Sequence, residues 1–244
     1  MGIPSSAAKL LFEEAKRRPF KGRVLTLGRQ FINFSYVHLE KIAAESKFKL
    51  FDPGELALSH VPKKAKKGYM SDVCFLKALG FSESRALDFT PSEAPDYIFD
   101  LNSGEMTEGL LGAFDVIING GTIEHIFHIP NVLNNIFRML ASDGRIIHFS
   151  PISARMDHGF YMFSPTLFRD YYRANKFEID TFQIFLHSKS SLRDWLVVDY
   201  HPGCSNEFDG VRGGMLGAYC VVTKTKNSTG DAVPVQGRYV KGIG

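Results

Sequence analysis

The side chains whose types and spacing could do chemistry are concentrated in one run, Phe114 to Ser164, which reads FDVIINGGTIEHIFHIPNVLNNIFRMLASDGRIIHFSPISARMDHGFYMFS. Eight histidines occur in the chain, and four of them fall here: His125, His128, His148 and His158. An imidazole that titrates near neutral pH is the usual side chain for removing a proton from a reacting group. His158 stands in a polar loop, ARMDHGFY, followed by a glycine and two aromatics. It reads either as a catalytic or substrate-contacting residue or as a structural loop histidine. Phe160, Tyr161 and Phe163 beside it could wall off water or stack on a sugar face. Glu124 and His125 are adjacent and could orient each other or a ligand, or bond to backbone at a tight turn. His125 could also pair in space with Asp157. His148 lies in an apolar run and reads as a core histidine; His128, at the approach to a helix, reads as a capping or surface residue. Glu124, His125, His128 and His158 are also metal-ligand types, but no spacing among them is a recognised metal signature. A divalent metal is therefore not the favoured expectation. Ser150 and Cys74 have no base near them in sequence, and nothing resembles a nucleophile elbow, which argues against a hydrolase.

The elements around these residues must be a strand, a helix and a strand. FDVIING is a short apolar run closed by glycines, as a buried strand would be. Ile129, Val132, Leu133, Ile136, Phe137 and Leu140 recur at amphipathic-helix spacing, opened by Pro130 and closed near Gly144. Arg145 to Ser150 is a second apolar run. Strand, helix and strand within about 37 residues make a parallel crossover unit, whose ligands sit at the carboxyl ends of the strands. Asn119, Gly120, Gly121, Glu124 and His125 fall on that rim.

Upstream, Ser5 or Ser6 opens a helix to about Arg18, and RVLTLG from Arg23 to Gly28 reads as a strand ending in a glycine turn. One glycine stands there, where a dinucleotide fingerprint has three. Helices are expected over Tyr36 to Glu45 and Ser71 to Leu79. The span 52–70, with the lysine cluster KKAKK, has no regular periodicity and reads as a lid or a surface insertion. RALDF and YIFDL read as further strands, each delivering an aspartate, Asp88 and Asp100, to its end. A carboxylate there can accept both hydroxyls of a ribose; Asp88 is preferred over Asp52, which lies about 24 residues past Gly28. Later come a helix from Ser164 to Ala174, strands at Phe177 to Leu186 and Gly217 to Thr225, and another near Trp195 to Tyr200. The late strands predict an antiparallel edge. Residues 1–226 are expected to form one domain, and the polar, glycine-rich residues 227–244 a mobile tail.

The bulk numbers set limits. A net charge of +3 over 244 residues is too small to argue for nucleic acid. Three cysteines at unrelated spacings read as free thiols of a reducing compartment. No apolar run is long enough for a signal peptide or a membrane span, so a cytoplasmic protein is expected.

Taken in order, VLTLGRQ, ALDF, FDLN, FDVIINGGTIEHIF, SDGRIIHFSP and HGFYMFSP resemble class I S-adenosylmethionine-dependent methyltransferases. The likeness is to a branch associated with polysaccharide, glycan or natural-product biosynthesis. It spans roughly Gly22 to Phe185 and implies an α/β, Rossmann-like, seven-stranded, mostly parallel sheet with flanking helices and an antiparallel edge strand. It further implies S-adenosylmethionine as cofactor and a small-molecule or glycan acceptor, and allows a homo-oligomer. Residue by residue, Leu27, Gly28, Arg29 and Gln30 would lie against the methionine part of the cofactor. Asp88 would hold the ribose; Asp100 and Leu101 would meet the adenine. Asn119, Gly120 and Gly121 would line the wall near the sulfonium, with Glu124 and His125 at the mouth. Methyl transfer to oxygen needs alignment and removal of a hydroxyl proton, so His158, His125 and Glu124 are the catalytic candidates. Where the resemblance departs, at LGRQ in place of a glycine-rich motif, two other readings stand: a scaffold protein that has lost the cofactor, and an NAD-dependent oxidoreductase.

Overall fold

The computed structural model describes residues 2–187, 194–201, 204, 208 and 214–239. The chain divides into two compact units, Met1–Phe99 and Asp100–Gly244.

In the first unit the order is β1 (Gly2–Ile3), α1 (Ser5–Arg17), β2 (Arg23–Leu27), β3 (Phe31–Ile32), α2 (Tyr36–Glu45), α3 (Pro62–Ala65), α4 (Asp72–Ala78), β4 (Glu83–Asp88) and β5 (Tyr97–Ile98). β2 pairs in parallel with β4, and β4 with β5. The register sets Leu27, the last residue of β2, opposite Leu87, one residue before the end of β4. Serines begin two of the helices as caps: Ser35 Oγ accepts from the His38 amide and Ser71 Oγ from the Cys74 amide. Each satisfies a donor that the first helical turn leaves open. α1 buries Ala7, Ala8, Leu11, Phe12 and Ala15. The span 52–70 contains α3 and a bridge between Leu58 and Met70.

The second unit runs β6 (Phe114–Gly120), a 3₁₀ turn (Ile123–His125), α5 (Ile129–Met139), β7 (Leu140–Pro151), α6 (Pro165–Ala174), β8 (Glu178–His187), β9 (Leu196–Asp199) and β10 (Met215–Thr223). β6 and β7 are parallel, joined across α5, which buries Ile129, Val132, Leu133, Ile136 and Met139. Pro130 and Pro165 stand in the first turns of α5 and α6, where a missing amide costs nothing. Beyond β7 every pairing is antiparallel: β7 with β10, β10 with β8, and β8 with β9.

The fold class is therefore α/β and Rossmann-like, with parallel strands and an antiparallel edge. Three details differ from the sequence reading. The large sheet has eight strands among the described residues instead of seven, its antiparallel edge being a set of three strands, not one. β7 also begins at Leu140, ahead of the expected Arg145; Phe114 pairs with Leu140 before the register shifts, and Asp143 takes φ 59° between. The strand expected over Tyr97–Leu101 stops at Ile98, and Asp100 opens a turn instead.

Residues 227–239 pack by hydrogen bonds within their own unit. Tyr171 donates its hydroxyl to the Gly230 carbonyl, the Ala232 amide donates to Asn175 Oδ1, and the Gly237 amide donates to Asp170 Oδ2.

Candidate functional site

The site of the second unit is built at the carboxyl end of β6. Asn119, fully buried, accepts from the Thr122 and Ile123 amides through Oδ1 and so closes the chain into the 3₁₀ turn. Its amide nitrogen donates to Ser150 Oγ at 3.0 Å and lies 3.2 Å from His148 Nδ1. Asn119 is thus a bracket between β6, β7 and the turn. Gly120 ends the strand, and Gly121 follows with φ 87°, a backbone that favours glycine.

That turn carries Glu124 and His125. Glu124 is sealed from solvent at 0% exposure, and neither carboxylate oxygen has a hydrogen-bond partner among the described residues. Burial pushes its carboxyl up to about 7, since the charged form loses its hydration. His158 comes over it from the loop after β7, with Nε2 3.7 Å from Glu124 Oε1. Its ring also meets that of His125 edge to face, the centroids 4.8 Å apart. Burial lowers the pKa of both histidines, with Arg155 adding to the shift. One ligand atom from each of Glu124, His125 and His158 lies within 4.8 Å of the others. The loop is held by the Tyr161 amide, which donates to the Glu124 carbonyl, and by the Phe163 amide, which donates to the Pro151 carbonyl. A side chain at Gly159 would place its Cβ 2.7 Å from that same Glu124 oxygen.

Phe160 is exposed and packs edge to face on Phe127, also exposed, at 5.7 Å. Tyr161 donates its hydroxyl to the Phe127 carbonyl and stacks on Phe163. Of these aromatics, Phe163 is buried and belongs to the core. Asp157 makes no ion pair with His125 among the described residues; it takes φ 60° in the loop, and His158 meets His125 in its place. His148 is the core histidine expected: it is fully buried, its Nε2 lies 2.6 Å from the Tyr172 hydroxyl, and its pKa is pushed down to about 3.

Asp100 Oδ1 accepts from both the backbone and side-chain nitrogens of Asn102. Asn102 Oδ1 accepts from the His128 amide in turn, and α5 pins the same turn by donating from Asn131 to Asn102 and from Asn135 to Leu101 and Ser103. Leu101 is buried.

In the first unit, Gly28 follows β2 with φ 71°, and its amide donates to the Leu87 carbonyl at 2.7 Å. Gln30 is 2% exposed and donates its side-chain amide to the Leu27 and Gly28 carbonyls. Arg29 donates to the Glu93 and Ala94 carbonyls and lies 3.6 Å from both Asp72 and Asp96. Both long side chains of this turn are therefore engaged with protein. Asp88, at the end of β4, accepts from the Thr90 amide through Oδ1, and its Oδ2 accepts no hydrogen bond among the described residues. Beside it Phe89 exposes 68% of its surface.

Residues missed in sequence are Arg155, Phe127, Phe89 and the asparagines of α5. Arg155 Nη1 lies 3.2 Å from Nε2 and 3.4 Å from Nδ1 of His158. Its place three residues before His158 in a polar loop was the available signal. Asn131 and Asn135 stand on the face of α5 that closes the turn at Asp100, and three asparagines within one amphipathic helix were the hint.

No protein-family model matches the chain, and no curated protein matches it. Solved structures do. A Thermotoga maritima S-adenosylmethionine-dependent methyltransferase, described as a possible histamine N-methyltransferase, is 15% identical at a TM-score of 0.40, over 90% of each chain. The O-methyltransferase of a trans-AT PKS multienzyme of Brevibacillus brevis, in complex with S-adenosyl-L-homocysteine, is 12% identical at a TM-score of 0.48, over 93% of this chain and 74% of that one. A Burkholderia thailandensis 1,6-didemethyltoxoflavin-N1-methyltransferase is 12% identical at 0.38, over 91% and 78%. Among the described residues, no helix is long and apolar enough to cross a membrane.

Proposed function

We propose that the protein is an S-adenosylmethionine-dependent methyltransferase that methylates a hydroxyl of a sugar or glycan precursor in the cytoplasm. The observation that carries this reading is the Glu124–His125–His158 cluster: a sealed carboxylate and two imidazoles gathered where the resemblance in sequence puts the acceptor. Three free cysteines agree with a reducing compartment.

The residues fit a nucleoside-bearing cofactor. In the first unit, Asp88 has an oxygen for a ribose hydroxyl and Phe89 a bare ring for a base to lie against. Gln30 and Arg29 close the turn after Gly28 where the family usually has glycines, so the backbone and the Gly28 edge would serve there. When bound, S-adenosylmethionine supplies an already activated methyl group, which leaves the protein to align the acceptor and take its proton. The Glu124–His125–His158 cluster takes that proton, and Phe160 with Phe127 offers a sugar face an apolar corner. Calorimetric titration with S-adenosylmethionine and S-adenosylhomocysteine tests the reading; silence for both would refute it.

A scaffold protein without cofactor is the second reading, and the engaged side chains of Arg29 and Gln30 are the observation that favours it. The same titration decides between the two.

A further inference from the structure

We propose that Glu124, His125 and His158 together bind one divalent transition-metal cation, through a carboxylate oxygen and one ring nitrogen from each histidine. Three observations lead there. The first is proximity: the three donor atoms lie within 4.8 Å of one another. With metal–ligand distances of about 2.1 Å, donors around one ion stand about 3.0–3.4 Å apart. Rotation of the two imidazoles by no more than ~1.5 Å closes the difference.

The second is Glu124 itself. A sealed carboxylate is normally paired, hydrogen-bonded or bound to a metal. Here both oxygens lack a hydrogen-bond partner among the described residues. Arg155 rests against His158, its Nη1 3.2 Å from Nε2, and makes no hydrogen bond to Glu124 among the described residues. A divalent ion would supply the missing counter-charge. It would also displace Arg155 Nη1 from the His158 nitrogen it now faces.

The third is how the donors are held. Glu124 and His125 share one short turn closed by Asn119, and the Tyr161 amide with the side-chain-free Gly159 presses the His158 loop onto it. Two imidazoles and one carboxylate suit zinc, cobalt, manganese or iron; magnesium and calcium prefer all-oxygen sites. Three protein ligands leave positions open, and a hydroxyl oxygen on such an ion loses its proton more readily. That use rests on the methyl-transfer reading and would make the cation, in place of a free imidazole, the agent that acidifies the acceptor. The binding site itself does not depend on it.

The experiment uses the full chain, stripped with a chelator and titrated separately with zinc, cobalt and magnesium, with S-adenosylhomocysteine binding measured on the same samples. The expected result is one saturable zinc or cobalt site per chain, a cobalt absorption band in the visible range, and magnesium binding weaker by at least ~10-fold. Glu124→Gln and, separately, His158→Gln should each weaken zinc at least ~10-fold, with circular dichroism unchanged. Absence of saturable binding, or binding equal in both variants and the parent, overturns the site. Should one variant fail to fold, the other carries the test. Metal binding without S-adenosylhomocysteine binding leaves the site standing and removes the methyl-transfer reading; the converse removes the site alone.

Discussion

His158 Nε2 stands 3.7 Å from Glu124 Oε1, and the residue that permits this approach is Gly159, whose Cβ, if present, would sit 2.7 Å from the Glu124 carbonyl oxygen. The loop and the turn are in backbone contact, so the loop cannot rise without carrying His158 away.

Gly159→Ala should therefore lower kcat by on the order of 100-fold, because a displacement near 1 Å can cost that much in alignment. Cofactor affinity should stay within a factor of about two, since Gly159 lies apart from Asp88 and Asp100 in the chain. Steady-state kinetics beside calorimetry reads both numbers. An unchanged kcat would mean that His158 is not positioned by this contact.

Asp88→Ala should weaken S-adenosylhomocysteine by at least ~10-fold, the loss of a charge-assisted hydrogen bond or two. Calorimetry measures it. Unchanged affinity would move the ribose to Asp52, whose Oδ1 now accepts from the Gly54 amide.

The order of elements was legible in the sequence because the buried strands are uninterrupted apolar runs ending in glycine or aspartate, and α5 repeats its apolar residues at helical spacing. The edge strands were legible in place but less so in extent: β9 falls within the strand expected near Trp195 to Tyr200, yet LVVD is too short a run to bound by periodicity. Glu124 was visible as a chemical type, but its sealing was not, since it follows from Asn119 folding the chain into a single 3₁₀ turn and from a loop more than 30 residues later. The closure of the Gly28 turn by Gln30 was equally hidden. A glutamine side chain reads as polar and outward until the strand ends leave two carbonyls within its reach.

His148 gives a pH prediction. Its pKa is pushed down to about 3 in the fold by burial, against about 6.5 in an unfolded chain. Between those values the unfolded state binds the proton and the folded state does not. Stability should therefore fall as pH drops below ~6.5, by up to about 1.4 kcal/mol per unit from this group. The groups facing His148 are Tyr172 from α6 and Cys220 from β10; burial raises both, so they stay neutral across this range. Urea midpoints from pH 7 to 4.5 should show the slope in the parent and a shallower one in His148→Gln. Equal slopes would contradict the assignment.

Tyr172→Phe should cost about 1–3 kcal/mol, because it strips the partner from a fully buried ring nitrogen. Denaturant unfolding at neutral pH measures the loss; a change below ~0.5 kcal/mol would mean that the His148–Tyr172 bond contributes nothing to the fold.

The proposed function is transfer of a methyl group from S-adenosylmethionine. Calorimetric titration of the full chain with S-adenosylmethionine and S-adenosylhomocysteine tests it most directly. Saturable one-to-one binding of both, tighter than ~1 mM and weakened by Asp88→Ala, is the expected result. No heat from either ligand at millimolar concentration would contradict it.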